Sequence, residues 1–137
     1  LVERAKLHQL GTTFHRAVDH ARDWQSALET ISQLGFDQVL TSGQASSAAK
    51  GLPIISAMVE SNQIAVMVGA GINATNVANI AKVSGVRQIH LSGKTSRPSK
   101  MPLFTHAQMG NEETDDREIP ITDQNKISDV VNALRIQ

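Results

Sequence analysis

Cysteine and tyrosine are both absent, and three Phe and one Trp are the only large aromatic side chains in 137 residues. Without thiols the chain forms no disulfide, holds no thiolate-ligated metal and has no sulfur nucleophile. An excess of charge is missing too, since 13 Lys+Arg meet 13 Asp+Glu. That balance provides no basic footprint for nucleic acid and none for an acidic membrane surface. No apolar run approaches the roughly 20 residues of a membrane-spanning helix. Signatures such as HxH, HExxH and CxxC are lacking, and the five histidines (His8, His15, His20, His90, His106) are scattered. What remains is apolar enough to fold: hydrophobic residues make up 40% of the chain, and a domain of this size buries about two-thirds of its unfolded surface without a staple.

Four short segments read as strands, at Thr12–His15, Asp37–Thr41, Ile64–Val68 and Arg87–Leu91. A helical pattern follows each of them. Asp23 is placed to cap a helix with Trp24, Ala27, Leu28, Ile31 and Leu34 on one stripe, and Gly35 ends it. Pro53 suits the first turn of a second helix, and Asn73 the cap of a third that stops at Gly85. Asp123 starts a fourth, with Ile127, Val130, Val131 and Leu134 at i, i+3, i+4 and i+7. The chain also opens on a helical pattern, from Leu1 to Leu10, with Gly11 as its stop and no cap before it. A start inside a helix leads to the expectation that these residues are one part of a larger domain.

Strand starts at 12, 37, 64 and 87 repeat at roughly 25 residues, the spacing of βα units with parallel strands. The class is α/β. An open doubly wound sheet and part of a (βα)8 barrel both fit that period. In the open sheet, helices cover both faces and strands are apolar throughout. Here Phe14 lies between Thr13 and His15, and Ile89 and Leu91 alternate with Gln88, His90 and Ser92. One apolar face and one polar face favour the barrel, whose lumen leads to a site at the C-terminal rim. A complete barrel takes about 250 residues, so the expectation is strands five to eight with their helices. Such a half leaves two sheet edges open and favours pairing with another chain, a homo-oligomer included. Residues 93–122 show no periodicity and read as a long loop over the barrel mouth, with a solvated acidic run at 112–116.

Sites on such folds collect at strand C-termini and in the loops that follow. Four polar clusters stand there: His15, Arg16 and Asp19; Thr41, Ser42 and Gly43; Gly69, Ala70 and Gly71 before Asn73; and His90, Ser92, Gly93, Lys94 and Arg97. The glycine pair either lets backbone approach an anion ahead of a helix N-terminus or simply makes a tight turn. Arg16 either clamps a carboxylate or phosphate or pairs structurally with Asp19, which orients it or accepts a proton. His15, Asp19 and His90 are the candidate proton-transfer groups. Thr41 and Ser42 either bind ligand or cap local backbone. Met58 and Met67 read as core, whereas Met101, His106 and Met109 offer thioether and imidazole donors that suit copper(I).

The segment Thr12-Thr13-Phe14-His15-Arg16-Ala17-Val18-Asp19 resembles the T-F-H-R-A-x-D motif of the CutC copper-homeostasis family. Ala27-Leu28-Glu29 and Leu34-Gly35-Phe36-Asp37-Gln38-Val39-Leu40-Thr41-Ser42-Gly43 are similar to its A-L-E and L-G-F-x-x-(V/I)-L-T-S-G blocks. Gly51-Leu52-Pro53, Val68-Gly69-Ala70-Gly71-Ile72 and His90-Leu91-Ser92-Gly93 match further landmarks in order, so the resemblance covers residues 1–105. It implies a (βα)8 barrel, a cytoplasmic setting, and a role in copper handling with the copper ion as partner. The rim residues themselves suit a small anionic ligand instead, as in a barrel enzyme acting on a phosphorylated or carboxylated metabolite.

Overall fold

The computed structural model describes residues 1–102, 115 and 117–135. Its elements run α1 (Val2–Leu7), β1 (Thr13–Phe14), a 3-10 turn (Arg16–His20), α2 (Trp24–Gln33), β2 (Gln38–Thr41), α3 (Leu52–Glu60), β3 (Ala65–Val68), α4 (Val77–Ser84), β4 (Gln88–Ile89), β5 (Lys94–Pro98), β6 (Glu118–Thr122) and α5 (Gln124–Arg135). Strands β1 to β4 pair in sequence order, all parallel, with a helix in each crossover. The architecture is α/β, and all four strands end at the same rim.

Local chemistry sets the helix ends. The Asp23 carboxylate accepts from the Gln25 N–H at 3.0 Å and opens α2. Pro53 lies in the first turn of α3, where its missing N–H costs nothing. Gly85 takes φ +69° and closes α4, its N–H donating to the Ala81 carbonyl. At α1 the expectation of a Gly11 stop is corrected. Gln9 supplies the left-handed residue (φ 55°), and the Leu10 N–H closes the turn on the Ala5 carbonyl.

The core lies on the helix side of the sheet. Val39, Val66 and Val68 are buried there with Leu28, Ile31, Ile55, Met58, Val77 and Ile80, and Phe14 and Ile89 pack against them from the edge strands. Alternation turns Thr13, Gln38 and Ala65, then Leu40, Met67 and Gln88, to the opposite face in two registered rows. That face carries Thr13 and Gln38, whose Nε2 donates to Thr13 Oγ1, at one side and Gln88 at the other, with Ala65, Leu40 and Met67 between them.

The expectation of a loop throughout 93–122 is corrected at both ends. Residues 94–98 and 118–122 form an antiparallel ribbon, Lys94 opposite Thr122 and Pro98 opposite Glu118. Pro98 and Pro120 are tolerated there because a two-stranded ribbon has only edges.

Candidate functional site

The loop after β1 carries the most connected cluster. His15 is extended, and its Nδ1 accepts from the Ala17 N–H at 3.1 Å, starting the 3-10 turn. That turn aims Asp19 inward. Its carboxylate accepts from Thr41 Oγ1 at 2.5 Å, from Arg16 Nε at 2.8 Å, and from the Ser42 and Gln44 N–H groups at 3.1 to 3.2 Å. Burial alone pushes this carboxyl upward. The bonds from Thr41 and Arg16 and from the Gln44 and Ser42 backbone outweigh it and hold the group below the ordinary carboxylate value. Asp19 is therefore an orienting anion with little capacity left to accept a proton.

Arg16 is held but not consumed. Besides its bond to Asp19, Nη2 donates to Ser42 Oγ at 2.6 Å and, at 3.4 Å, to the Ala45 carbonyl. The Ser42 hydroxyl has one proton to share between Asp19 Oδ2 and the Ala45 carbonyl. The Asp19 side chain is 4% exposed and that of Arg16 44%. Nη1 makes no hydrogen bond to a described residue.

A cleft of about 300 Å³ opens beside that guanidinium, at the C-terminal ends of β2 and β4 and over the loop after β3. Arg16, His90 and Ser92 give it polar groups; Leu40, Ile72 and Leu91 give it apolar wall; Ala70 and Gly71 supply backbone. Ala70 and Gly71 both have positive φ, 79° and 70°. For Ala70 this conformation costs about 1–2 kcal/mol, which the surrounding loop must offset. The Ala70 carbonyl is anchored by the Ala48 N–H at 3.0 Å.

The structure thus brings Arg16, Gly71, His90 and Ser92 to one cleft and leaves the other sequence candidates outside its lining. Thr41 and Ser42 are buried and cap local backbone, Thr41 Oγ1 accepting from the Gly43 N–H at 2.9 Å. Gly43 is needed for close packing, because a Cβ there would lie 2.3 Å from the Gly51 carbonyl oxygen. Gly69 is buried beneath Leu40 and His90, and Gly93, half-buried, lies beside Ile127. The reading of Asn73 as a helix cap facing an anion is corrected. Helix α4 starts at Val77, and the N–H groups of Asn73, Thr75, Asn76 and Val77 are satisfied by Asn73 and Asn76 themselves. Leu40 and Ile72 were missed by sequence reasoning, and their only signal was position near strand ends.

The donor set does not fit a copper centre within these residues. Among the described residues no three His, Cys, Asp or Glu side chains group to hold a metal ion. His15 spends Nδ1 on backbone. Of the thioether and imidazole set, Met101 is 78% exposed, while His106 and Met109 lie outside the described residues. No described helix is long and apolar enough to cross a membrane.

Comparison with known proteins agrees with the fold and the motifs. The CutC family model matches residues 1–95. The family protein CutC of Vibrio campbellii is 46% identical over 137 residues, 98% of this chain and 56% of the relative. That of Pasteurella multocida is 50% identical over 116 residues, 83% of this chain and 48% of the relative. The chain spans about half the length of the curated relatives it matches. Among solved structures, CutC of Streptococcus agalactiae, described as a copper homeostasis protein, superposes with a TM-score of 0.56 at 29% identity. The match covers 65% of this chain and 48% of that one. With motifs, fold and relatives in agreement, the chain belongs to the CutC family.

Proposed function

We propose that this chain forms strands five to eight of a (βα)8 barrel serving copper homeostasis in the cytoplasm, and that its own part is to hold a small phosphorylated or carboxylated ligand at the rim. One observation carries the ligand class: the cleft that joins the open side of the Arg16 guanidinium to Gly71, His90 and Ser92. Asp19 and Ser42 fix two of the guanidinium nitrogens, so the remaining N–H groups are presented without further loss of side-chain freedom. Nη1 keeps both of its N–H groups for the oxygens of a carboxylate or phosphate. Gly71, free of Cβ, keeps the floor low, and His90 is the group placed to exchange a proton with what binds.

Calorimetry with inorganic phosphate and a panel of phosphate-bearing metabolites tests this reading. A charge-assisted hydrogen bond contributes about 1.5–3 kcal/mol, so Arg16→Ala weakens binding by roughly ten- to a hundredfold. Gly71→Val blocks the floor and does similar damage. A compound that binds wild type and both variants equally well overturns the placement of the site.

Direct copper binding is the second reading, supported by the copper-homeostasis description of the Streptococcus agalactiae protein and by Met101, a thioether-bearing residue that is exposed. Its ligands would be Met101, His106 and Met109, soft donors that favour copper(I) over zinc. Competition with a copper(I) chelator reads it out. Replacing all three residues abolishes binding, and stoichiometric copper retained by the triple variant sinks this site.

A further inference from the structure

We infer that the ligand of this rim carries two anionic groups and lies across the end of β4, one group at Arg16 and the other at Lys94 and Lys126. The inference rests on the anion reading above and extends it to a ligand class. The cleft beside Arg16 does not end at Ser92. A second cleft, of about 530 Å³, continues from there toward α5, and the two share Ile72, Leu91 and Ser92 in their walls.

Positive charge stands at both ends of this double cleft and not in its middle. At the far end Lys126, in the first turn of α5, donates from Nζ to the Lys94 carbonyl at 2.7 Å. That bond steers its ammonium over the strand end and leaves two N–H donors unspent. The Lys94 ammonium makes no hydrogen bond to a described residue. Asp129, three residues beyond Lys126, lines the same cleft and forms no ion pair with a described residue, so two lysines against one carboxylate leave an excess of one positive charge. Between the ends, the shared wall is Ile72, which is buried, and Leu91, which is half-buried. An apolar floor favours a ligand body without charge.

The two ends also differ in kind. Arg16 offers the two N–H groups of Nη1 on a stem fixed by Asp19 and Ser42, which suits one edge of a carboxylate or phosphate. The lysines offer compact point charges on flexible stems, which suit a phosphate in several orientations. A phosphorylated carboxylic acid or a bisphosphate with an uncharged middle meets both.

The test is calorimetry of the 137-residue chain with methylphosphonate and with alkane bisphosphonates of increasing chain length. Affinity should peak at one length, roughly a hundredfold above methylphosphonate, because the second group then binds intramolecularly. Lys126→Glu should return that bisphosphonate to the affinity with which methylphosphonate binds at Arg16. Lys126→Met, which keeps the stem, should lose most of the gain and guards against a folding defect. Methylphosphonate binding through Arg16 with no gain at any length overturns the two-anion inference and leaves the single-anion reading standing. No methylphosphonate binding at all overturns both.

Discussion

The rim over β1 and β2 and the rim over β3 and β4 begin with the same asset, polar residues at the ends of parallel strands, and use it in opposite ways. Over β1 and β2 the polar groups turn on one another. Asp19, at 4% exposure, takes hydrogen bonds from Arg16, Thr41, Ser42 and Gln44, and Thr41 returns to the Gly43 backbone. Over β3 and β4 the groups stay open: His90 and Ser92 are exposed and Lys94 has no hydrogen bond from its ammonium to a described residue. Arg16 spans the two regions, held by the first and presented to the second. Residue type and strand position therefore do not separate a closed polar cluster from an open one. Saturation of donors and acceptors does.

Removing the anchor of the closed region should have the largest effect. Asp19→Ala leaves the Thr41 hydroxyl and the Ser42 and Gln44 N–H groups without their acceptor, at about 1–3 kcal/mol for each group that stays buried. A loss of about 4 kcal/mol by urea denaturation is expected; a loss below about 1 kcal/mol would show that water replaces the carboxylate freely.

Glycines from the two regions sharpen the contrast. Both Gly43 and Gly71 have φ +70°, but a Cβ at Gly43 meets the Gly51 carbonyl oxygen at 2.3 Å, whereas at Gly71 the nearest atom is Ser47 Cβ at 3.3 Å. Gly43→Ala should cost about 3 kcal/mol, through backbone displacement added to the left-handed conformation. Gly71→Ala should cost about 1 kcal/mol, from the conformation alone. Equal melting temperatures for the two variants would contradict this division.

Arg16→Ala is expected to change stability little, by about 1 kcal/mol, because its side chain is 44% exposed and solvent screens the pair. Its effect on phosphate binding is the larger one. A variant that unfolds as readily as Asp19→Ala would move Arg16 wholly into the closed region.

The smallest effect is with pH. The Asp19 carboxyl is held below its ordinary value of 3.8, burial pushing upward and the Thr41, Arg16, Gln44 and Ser42 hydrogen bonds more than reversing it. A depressed native value stabilises the fold fully above the unfolded value and loses that contribution as pH falls through the native one. Urea midpoints followed into acid should therefore fall more steeply for wild type than for Asp19→Asn; parallel curves would exclude Asp19 as a source of acid sensitivity.

The α/β class, the four parallel strands and most helix ends were legible because each rests on local chemistry, as at Asp23, Pro53 and Gly85. The Arg16–Asp19 pair was legible from its spacing. Which glycines face a ligand was not, since Gly43, Gly51 and Gly71 read alike until the backbone that opposes each is known. Asn73 misled for a related reason. Asparagine caps helices and also closes turns on its own backbone, and here it does the second, with Asn76 completing the turn. The β5–β6 ribbon escaped notice because prolines that exclude a central strand are harmless where every strand is an edge.

That ribbon also sets how much this region can be altered. Gly93 and Asp123 are joined by a backbone hydrogen bond of 2.9 Å, Thr122 Oγ1 reaches the Ser92 carbonyl, and Ile127 packs on Gly93, so the chain leaves β4 and enters α5 through a closed clasp. Between Pro98 and Glu118 the length of chain is thermodynamically cheap, since doubling a closed loop costs only about 0.6 kcal/mol. Epitopes, reporters or guest domains inserted between those two ends would leave the pairing of the four-stranded parallel sheet untouched. Homologues would be free to diverge in length at the same place while keeping α5 docked.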